Sequence, residues 1–227
     1  MNASWLRYIF YGSTAGVLLA ETFGIKGLWA ISKPLIVLSL AVWFAQSCPK
    51  PLSFSHRWVF IGLLFGWLGD VALMFVAQNG LFFIAGLVAF LLGHLAYIVA
   101  FWPQITPFSG SYLQQKPLWM VLTGIYALGL LFVLWPHVQA LTAPVTAYAA
   151  VLSAMVLTAW NRKYRVVEIS FRIVWVGALL FLISDSILAV NKFVAAVPFA
   201  GIWIMGTYIP AQWAIARGML ELSSTSS

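Results

Sequence analysis

Charge is what this 227-residue sequence has least of. Charged residues make up 7% of it, where a soluble domain carries about 25%. Five acids and twelve bases cannot cover the exterior of a soluble fold of this size. With 63% hydrophobic residues and a mean hydropathy of +0.98, the chain reads as a polytopic membrane protein. One cysteine, Cys48, excludes an internal disulfide and a cysteine metal cluster. The three histidines are scattered and no HExxH occurs, so no zinc triad is expected. GxSxG, the P-loop and GxGxxG are missing as well. No metal or organic cofactor is expected. The net charge of +7 points to membrane topology and not to a nucleic acid, and nothing in the sequence indicates a protein partner.

What is present is apolar length. A helix crossing about 30 Å of hydrocarbon needs roughly 20 mostly apolar residues. That measure predicts an all-α transmembrane bundle of about eight spans: Leu6–Phe23, Leu28–Gln46, Trp58–Ala77, Leu81–Trp102, Leu118–Trp135, Leu141–Trp160, Ile173–Val190 and Ala196–Arg217. The segments lack the alternation of a membrane barrel. Arg7 ahead of an apolar run has the look of a signal peptide, but Glu21 interrupts it and no small-x-small site follows, so it is read as the first span. Residues 1–222 read as one transmembrane helical domain, and the serine-rich end, 223–227, as a disordered tail. The longest connection, Pro103–Pro117, reads as an ordered surface loop.

Several tryptophans, among them Trp5, Trp29, Trp58, Trp102, Trp119, Trp135 and Trp160, fall at span ends, where an indole suits the headgroup zone. With eight spans, one side of the membrane holds Arg7, Lys50, Arg57, Lys116, Arg162, Lys163, Arg165, Arg172 and Arg217; the other holds Lys26 and Lys192. Nine bases against two predict both termini in the cytoplasm of a multi-pass protein of the cell membrane, a bacterial inner membrane being the expected one.

Spans three and seven align on their aspartates. Arg57, Val59, Gly62, Leu64, Asp70 and Leu73 stand against Arg172, Val174, Gly177, Leu179, Asp185 and Leu188. Two parallel four-helix repeats would explain the match. The alternative is chance similarity between apolar helices, and spans four and eight align poorly.

Glu21, Lys33, Asp70, His94 and Asp185 lie within hydrocarbon spans. A charge at that depth costs several kcal/mol, so each should face the bundle interior with a partner. At about 1.5 Å per residue, Asp70 lies roughly 10 Å, and Asp185 roughly 8 Å, inside the outer ends of their spans. Each group has a structural alternative. Glu21 and Lys33 would make an ordinary ion pair; His94, with Gly93 before it and Tyr97 after, would make an interhelical hydrogen bond. Tyr148, Tyr208 and Gln212 would serve as interhelical glue. Two aspartates at matching depth gain nothing from packing. With a lysine and a histidine around an apolar cavity, they suit acid–base chemistry on a lipid-like molecule.

The runs Phe65-Gly-Trp-Leu-Gly-Asp70-Val-Ala-Leu-Met74, Phe90-Leu-Leu-Gly-His94-Leu-Ala-Tyr97 and Gly177-Ala-Leu-Leu-Phe181-Leu-Ile-Ser-Asp185-Ser resemble the YhhN family. Lys33-Pro34 and Tyr208-x-x-x-Gln212 fit the same pattern, and the resemblance covers nearly the whole chain. Characterised members of that family are lysoplasmalogenases. The resemblance therefore implies hydrolysis of the vinyl ether bond of a lysoplasmalogen, giving a fatty aldehyde and glycerophosphocholine or glycerophosphoethanolamine, with a lysophospholipid in the bilayer as partner. A vinyl ether is acid-labile: protonation of its β-carbon gives an oxocarbenium ion that water captures. Asp70 and Asp185 are the candidate catalytic pair, one protonated and one ionised. Lys33, His94, Tyr97, Tyr208, Gln212 and Glu21 are candidate substrate-binding groups. Lys33 would hold the ionised partner or the substrate phosphate, His94 would orient water, and Tyr208 would donate to an ether or glycerol oxygen. The competing class is a small-molecule or proton-coupled transporter, since intramembrane acids also mark proton relays.

Overall fold

The computed structural model describes residues 4–107 and 109–223. Among these residues there is no strand, and eight long helices and one short one are formed: α1 (Ser4–Phe23), α2 (Lys26–Ser47), α3 (Phe54–Met74), α4 (Leu81–Ile105), the short α5 (Tyr112–Gln115), α6 (Leu118–Val138), α7 (Thr142–Asn161), α8 (Glu168–Phe193) and α9 (Ala200–Leu220). The eight long helices take the places of the eight expected spans, with shifted ends. Ser53 caps α3, its hydroxyl accepting from the His56 amide, so that helix starts before Trp58. The stretch expected as loop after Pro103 is helical to Ile105 and contains α5, capped by Ser111. Of the expected tail, 224–227 lie outside the described residues.

Among the described residues, five stretches are both long and apolar enough to cross a membrane by length and composition: Lys26–Ser47, Phe54–Met74, Leu81–Ile105, Leu118–Asn161 and Glu168–Phe193. The fourth is α6 and α7 run together through a 3-10 turn. The helix α9 is less apolar because it is central, with Tyr208 and Gln212 buried inside the bundle. At the periphery, α6 buries only Leu134 and Val138 and turns Ile125, Leu128 and Phe132 outward. Outward apolar side chains and inward polar ones are the arrangement of a helical protein whose solvent is lipid.

The two halves share one plan. Asp185 lies 115 positions after Asp70, and that offset maps α1 onto α6, α2 onto α7, α3 onto α8 and α4 onto α9, with ends agreeing to within four residues. Packing repeats accordingly. The two most extensive contacts are α3 on α4 and α8 on α9; α2 meets α3 as α7 meets α8, and α4 meets α7 as α9 meets α2. That exchange of partners is the pattern of a two-fold axis. The outer helices break it, α1 packing on α9 and α6 on α8.

Two expectations drawn from composition are corrected by packing. Arg162, counted among the loop bases on one side of the membrane, is fully buried. Its guanidinium donates to Gln104 and, at 2.8 Å, to Ser170, whose hydroxyl donates to the Gly218 carbonyl. Trp160, expected at the lipid interface, is buried with Trp119 and Trp175, their ring centroids 4.1 Å and 4.3 Å away.

Candidate active site

The site forms where the central helices of the two halves meet. Asp70 on α3 is 2% exposed and accepts a hydrogen bond from the Tyr208 hydroxyl on α9, 2.8 Å to Oδ2. One turn along α9, Gln212 Nε2 donates to Tyr208 Oη at 3.0 Å, and Tyr97 on α4 donates to Gln212 Oε1. A single chain of donors thus runs Tyr97, Gln212, Tyr208, Asp70. Every hydroxyl and the amide in it has a partner, as buried polar groups require. The helix α3 makes room with glycine. A Cβ on Gly66 would collide with Gln212 Nε2 and fall 3.2 Å from the Tyr208 hydroxyl, and one on Gly62 would strike the Tyr97 ring. The small-residue stripe of α3 is therefore the floor on which the hydrogen-bonded side chains lie.

Asp185 on α8 is 9% exposed and accepts from Tyr148 of α7, 2.6 Å to Oδ2. His94 on α4 is buried, with Nε2 3.6 Å from the same oxygen, too long for a direct hydrogen bond. Its Nδ1 has no partner among the described residues. The rings of Tyr148 and Phe181 meet the imidazole in T-shaped contacts, with ring centroids at 5.4 Å and 4.7 Å. Phe181 also meets the Tyr208 ring at 5.4 Å, so one phenylalanine separates the surroundings of the two carboxylates. The carboxylates themselves are near enough to act on each other electrostatically.

Lys33 on α2 is 7% exposed, its ammonium 4.8 Å from the Trp29 ring centroid and within electrostatic reach of Asp70 and Glu21. The direct Glu21–Lys33 ion pair set out as a structural alternative is not formed; Glu21 accepts from the Trp29 indole N–H instead, at 2.8 Å.

Two cavities reach these groups. An apolar one of about 40 Å³ lies among α3, α4, α7 and α8, with Phe83, Leu87, Phe90 and Val145 in its walls and Asp185 and Tyr148 at its polar end. A wider one of about 260 Å³ holds Glu21, Lys33, Asn191 and Lys192. Leu73, Phe83 and Leu188 line both, so only a thin apolar partition divides them.

All eight expected site residues thus come to one region, Asp70 and Asp185 at its centre and Glu21 at its edge. Three contributors escape the sequence reading. Tyr148, ranked there as interhelical glue, is the hydrogen-bond donor to Asp185. Lys192 and Asn191 lie in the polar cavity. Lys192 had a visible signal: it is one of only two bases on the sparsely charged side of the membrane.

These features define a class: a multi-pass helical membrane protein with a buried carboxylate pair served by tyrosines, one carboxylate lining an apolar cavity. The chain belongs to the YhhN family, whose profile matches residues 28–219. It is 32% identical over 195 residues to the lysoplasmalogenase of Mycobacterium tuberculosis (strain CDC 1551 / Oshkosh), a match covering 83% of this chain and 70% of that protein. Similarity extends to lysoplasmalogenase TMEM86B of Sus scrofa, 33% identical over 192 residues, with 85% of this chain and 75% of that protein covered. Lysoplasmalogenase TMEM86A of Homo sapiens is 33% identical over 173 residues, 72% of this chain; the match spans 65% of the human protein's length. No solved structure matches the chain.

Proposed function

We propose that the chain is a membrane-embedded lysoplasmalogenase, hydrolysing the vinyl ether of a lysophospholipid by acid–base chemistry at Asp70 and Asp185. One observation carries the reading: two buried carboxylates, each accepting from a tyrosine, one of which, Asp185, lines an apolar cavity. Proton delivery to carbon needs a carboxylic acid, and the cation that follows needs a carboxylate. The relatives carry an enzyme's name, which favours the hydrolase over a transporter.

The cavities suit the two ends of a lysolipid. Lys33 and Lys192 line the polar one and suit a phosphate, while Glu21 suits the ammonium of ethanolamine or choline. The alkenyl chain belongs on the apolar side of the Leu73–Phe83–Leu188 partition, where Asp185 waits. At about 40 Å³ that space is too small for a chain, so substrate entry requires the partition to move. Purified protein in detergent, given lysoplasmenyl-ethanolamine, should release fatty aldehyde. Solute counterflow in sealed vesicles with no aldehyde would establish a transporter.

A further inference from the structure

The two-fold plan is broken at the carboxylates, and the break is chemical. At the offset of 115 that relates Asp70 to Asp185, Lys33 of α2 corresponds to Tyr148 of α7, Gly93 of α4 to Tyr208 of α9, and His94 to Ile209. Each aspartate receives one phenol, but from different places. Asp70 is served by Tyr208 across from α9, which leaves its α2 neighbour position to a lysine. Asp185 is served by Tyr148 from that same position on α7; the counterpart of Tyr208 is Gly93, and the next residue, His94, comes within 3.6 Å of Asp185.

The surroundings therefore differ in charge. Around Asp70 stand Lys33, the phenol of Tyr208 with Gln212 and Tyr97 behind it, Glu21 beyond the lysine, and the other aspartate. Around Asp185 stand Tyr148, His94 and Asp70, with Tyr148 in the position that Lys33 holds near Asp70; Lys33 acts on Asp70 through space and makes no direct ion pair with it. An imidazolium needs acceptors for both N–H groups, whereas His94 Nδ1 is buried without one, which suits a neutral ring. A cation beside a carboxyl favours its ionised form; an apolar, uncompensated site favours the protonated form. The apolar cavity opens on Asp185 and not on Asp70.

Resting on the lysoplasmalogenase reading, we propose that the broken symmetry divides the chemistry, Asp185 being the proton donor and Asp70 the carboxylate that faces the cation and activates water. Asp185 gives its proton to the alkenyl carbon β to the ether oxygen, leaving an oxocarbenium ion on the α-carbon. Water adds there and passes a proton to Asp70, forming a hemiacetal. In its collapse the hemiacetal hydroxyl returns a proton to Asp185, and Asp70 protonates the departing glycerol oxygen as the carbon–oxygen bond breaks. Both side chains are regenerated, and one water is consumed. Lys33 is a positioning residue that keeps Asp70 ionised.

The test separates charge recognition from turnover. A lysophospholipid analogue with a secondary ammonium at the α-carbon mimics the oxocarbenium ion. A saturated alkyl ether analogue is its neutral counterpart and reports that a variant is folded. Binding of both is measured to wild type, Asp70→Asn and Asp185→Asn in detergent; if an Asn variant fails to bind the neutral ether, Asp70→Ser or Asp185→Ser replaces it. Asp70→Asn should weaken the ammonium analogue roughly 30-fold or more, as expected when one partner of a desolvated charge pair is removed. Asp185→Asn should stay within about threefold of wild type, the removal of an uncharged partner. Loss that follows Asp185, equal loss in both variants, or loss in neither overturns the assignment while wild-type aldehyde release keeps the lysoplasmalogenase reading intact. No aldehyde from wild type would bring down that reading and this assignment together.

Discussion

Tyr97 and Gln212 occupy the same place in the two halves of the chain, 115 positions apart, and hydrogen-bond to each other. Two equivalent groups can touch only where the axis relating them passes. The donor chain to Asp70 therefore starts on the axis of the fold, and identical side chains at both positions would offer no such polarity. A tyrosine facing a glutamine gives the bonds one direction, Tyr97 to Gln212 to Tyr208 to Asp70.

Loss of either carboxylate should abolish the chemistry without unfolding the protein. Asp70→Asn and Asp185→Asn keep the side-chain shape but cannot pass a proton. Each should lower aldehyde release by at least about a hundredfold, the lower end of what a positioned acid or base contributes. Near-wild-type turnover in one variant would remove that residue from the mechanism.

The glycine floor of α3 gives a packing test. Gly66→Ala would place a Cβ against Gln212 Nε2 and the Tyr208 hydroxyl, whereas a Cβ on Gly129 of α6 meets nothing within 4 Å. Gly66→Ala should cost about 1–3 kcal/mol through overpacking and reduce turnover by displacing Tyr208 from Asp70. Gly129→Ala should leave both unchanged. Thermal unfolding in detergent and aldehyde release read the two effects, and a fully active, equally stable Gly66→Ala protein would show that the floor is not needed.

Much of this molecule is legible in the sequence because lipid penalises charge so strongly. Apolar length alone predicts eight long helices, and Asp70 and Asp185 stand out because nothing apolar explains them. The repeat is legible only on α3 and α8, where Gly62, Asp70 and Leu73 match Gly177, Asp185 and Leu188. On α4 and α9 the equivalent positions have diverged into Gly93 and Tyr208, Tyr97 and Gln212, because there the halves do different work around one axis. Tyr148 is hidden for another reason: tyrosine is common in such helices, and only the 2.6 Å contact with Asp185 marks it out. The burial of Arg162 is not legible among the loop bases, since its partner Gln104 lies 58 positions away and nothing local marks Ser170 as an acceptor.

Headgroup binding should depend on Lys192. It is exposed, rests over the Phe83 ring at 4.8 Å and lines the polar cavity. Lys192→Glu should raise KM about three- to tenfold, the size of one or two rim charge contacts, and leave kcat nearly unchanged because the carboxylate pair is untouched. A changed kcat at constant KM would place Lys192 in the chemical step instead.

Topology follows from charge asymmetry. Nine loop-side bases against two predict both termini in the cytoplasm; burial of Arg162 reduces the excess without reversing it. Alkaline phosphatase, active only outside the cytoplasm, should stay inactive when fused to the C-terminus. Strong activity would mean an odd number of crossings.

Substrate selection follows from the chemistry together with the shape of the two cavities. Protonation requires the enol ether double bond, since a saturated ether has no carbon basic enough to accept a proton. The alkyl ether analogue should therefore bind as a competitive inhibitor and never be cleaved. Leu73, Phe83 and Leu188 divide the polar cavity from a space of about 40 Å³ that must widen to admit even one chain, so a second acyl chain demands a larger opening. A diradyl plasmalogen should be a poor substrate beside the lyso form. Aldehyde release from the two vinyl ethers, with inhibition by the alkyl ether, measures both effects. Rapid cleavage of the alkyl ether would eliminate proton-initiated hydrolysis, and equal rates on the two vinyl ethers would show that the partition opens wide enough for two chains.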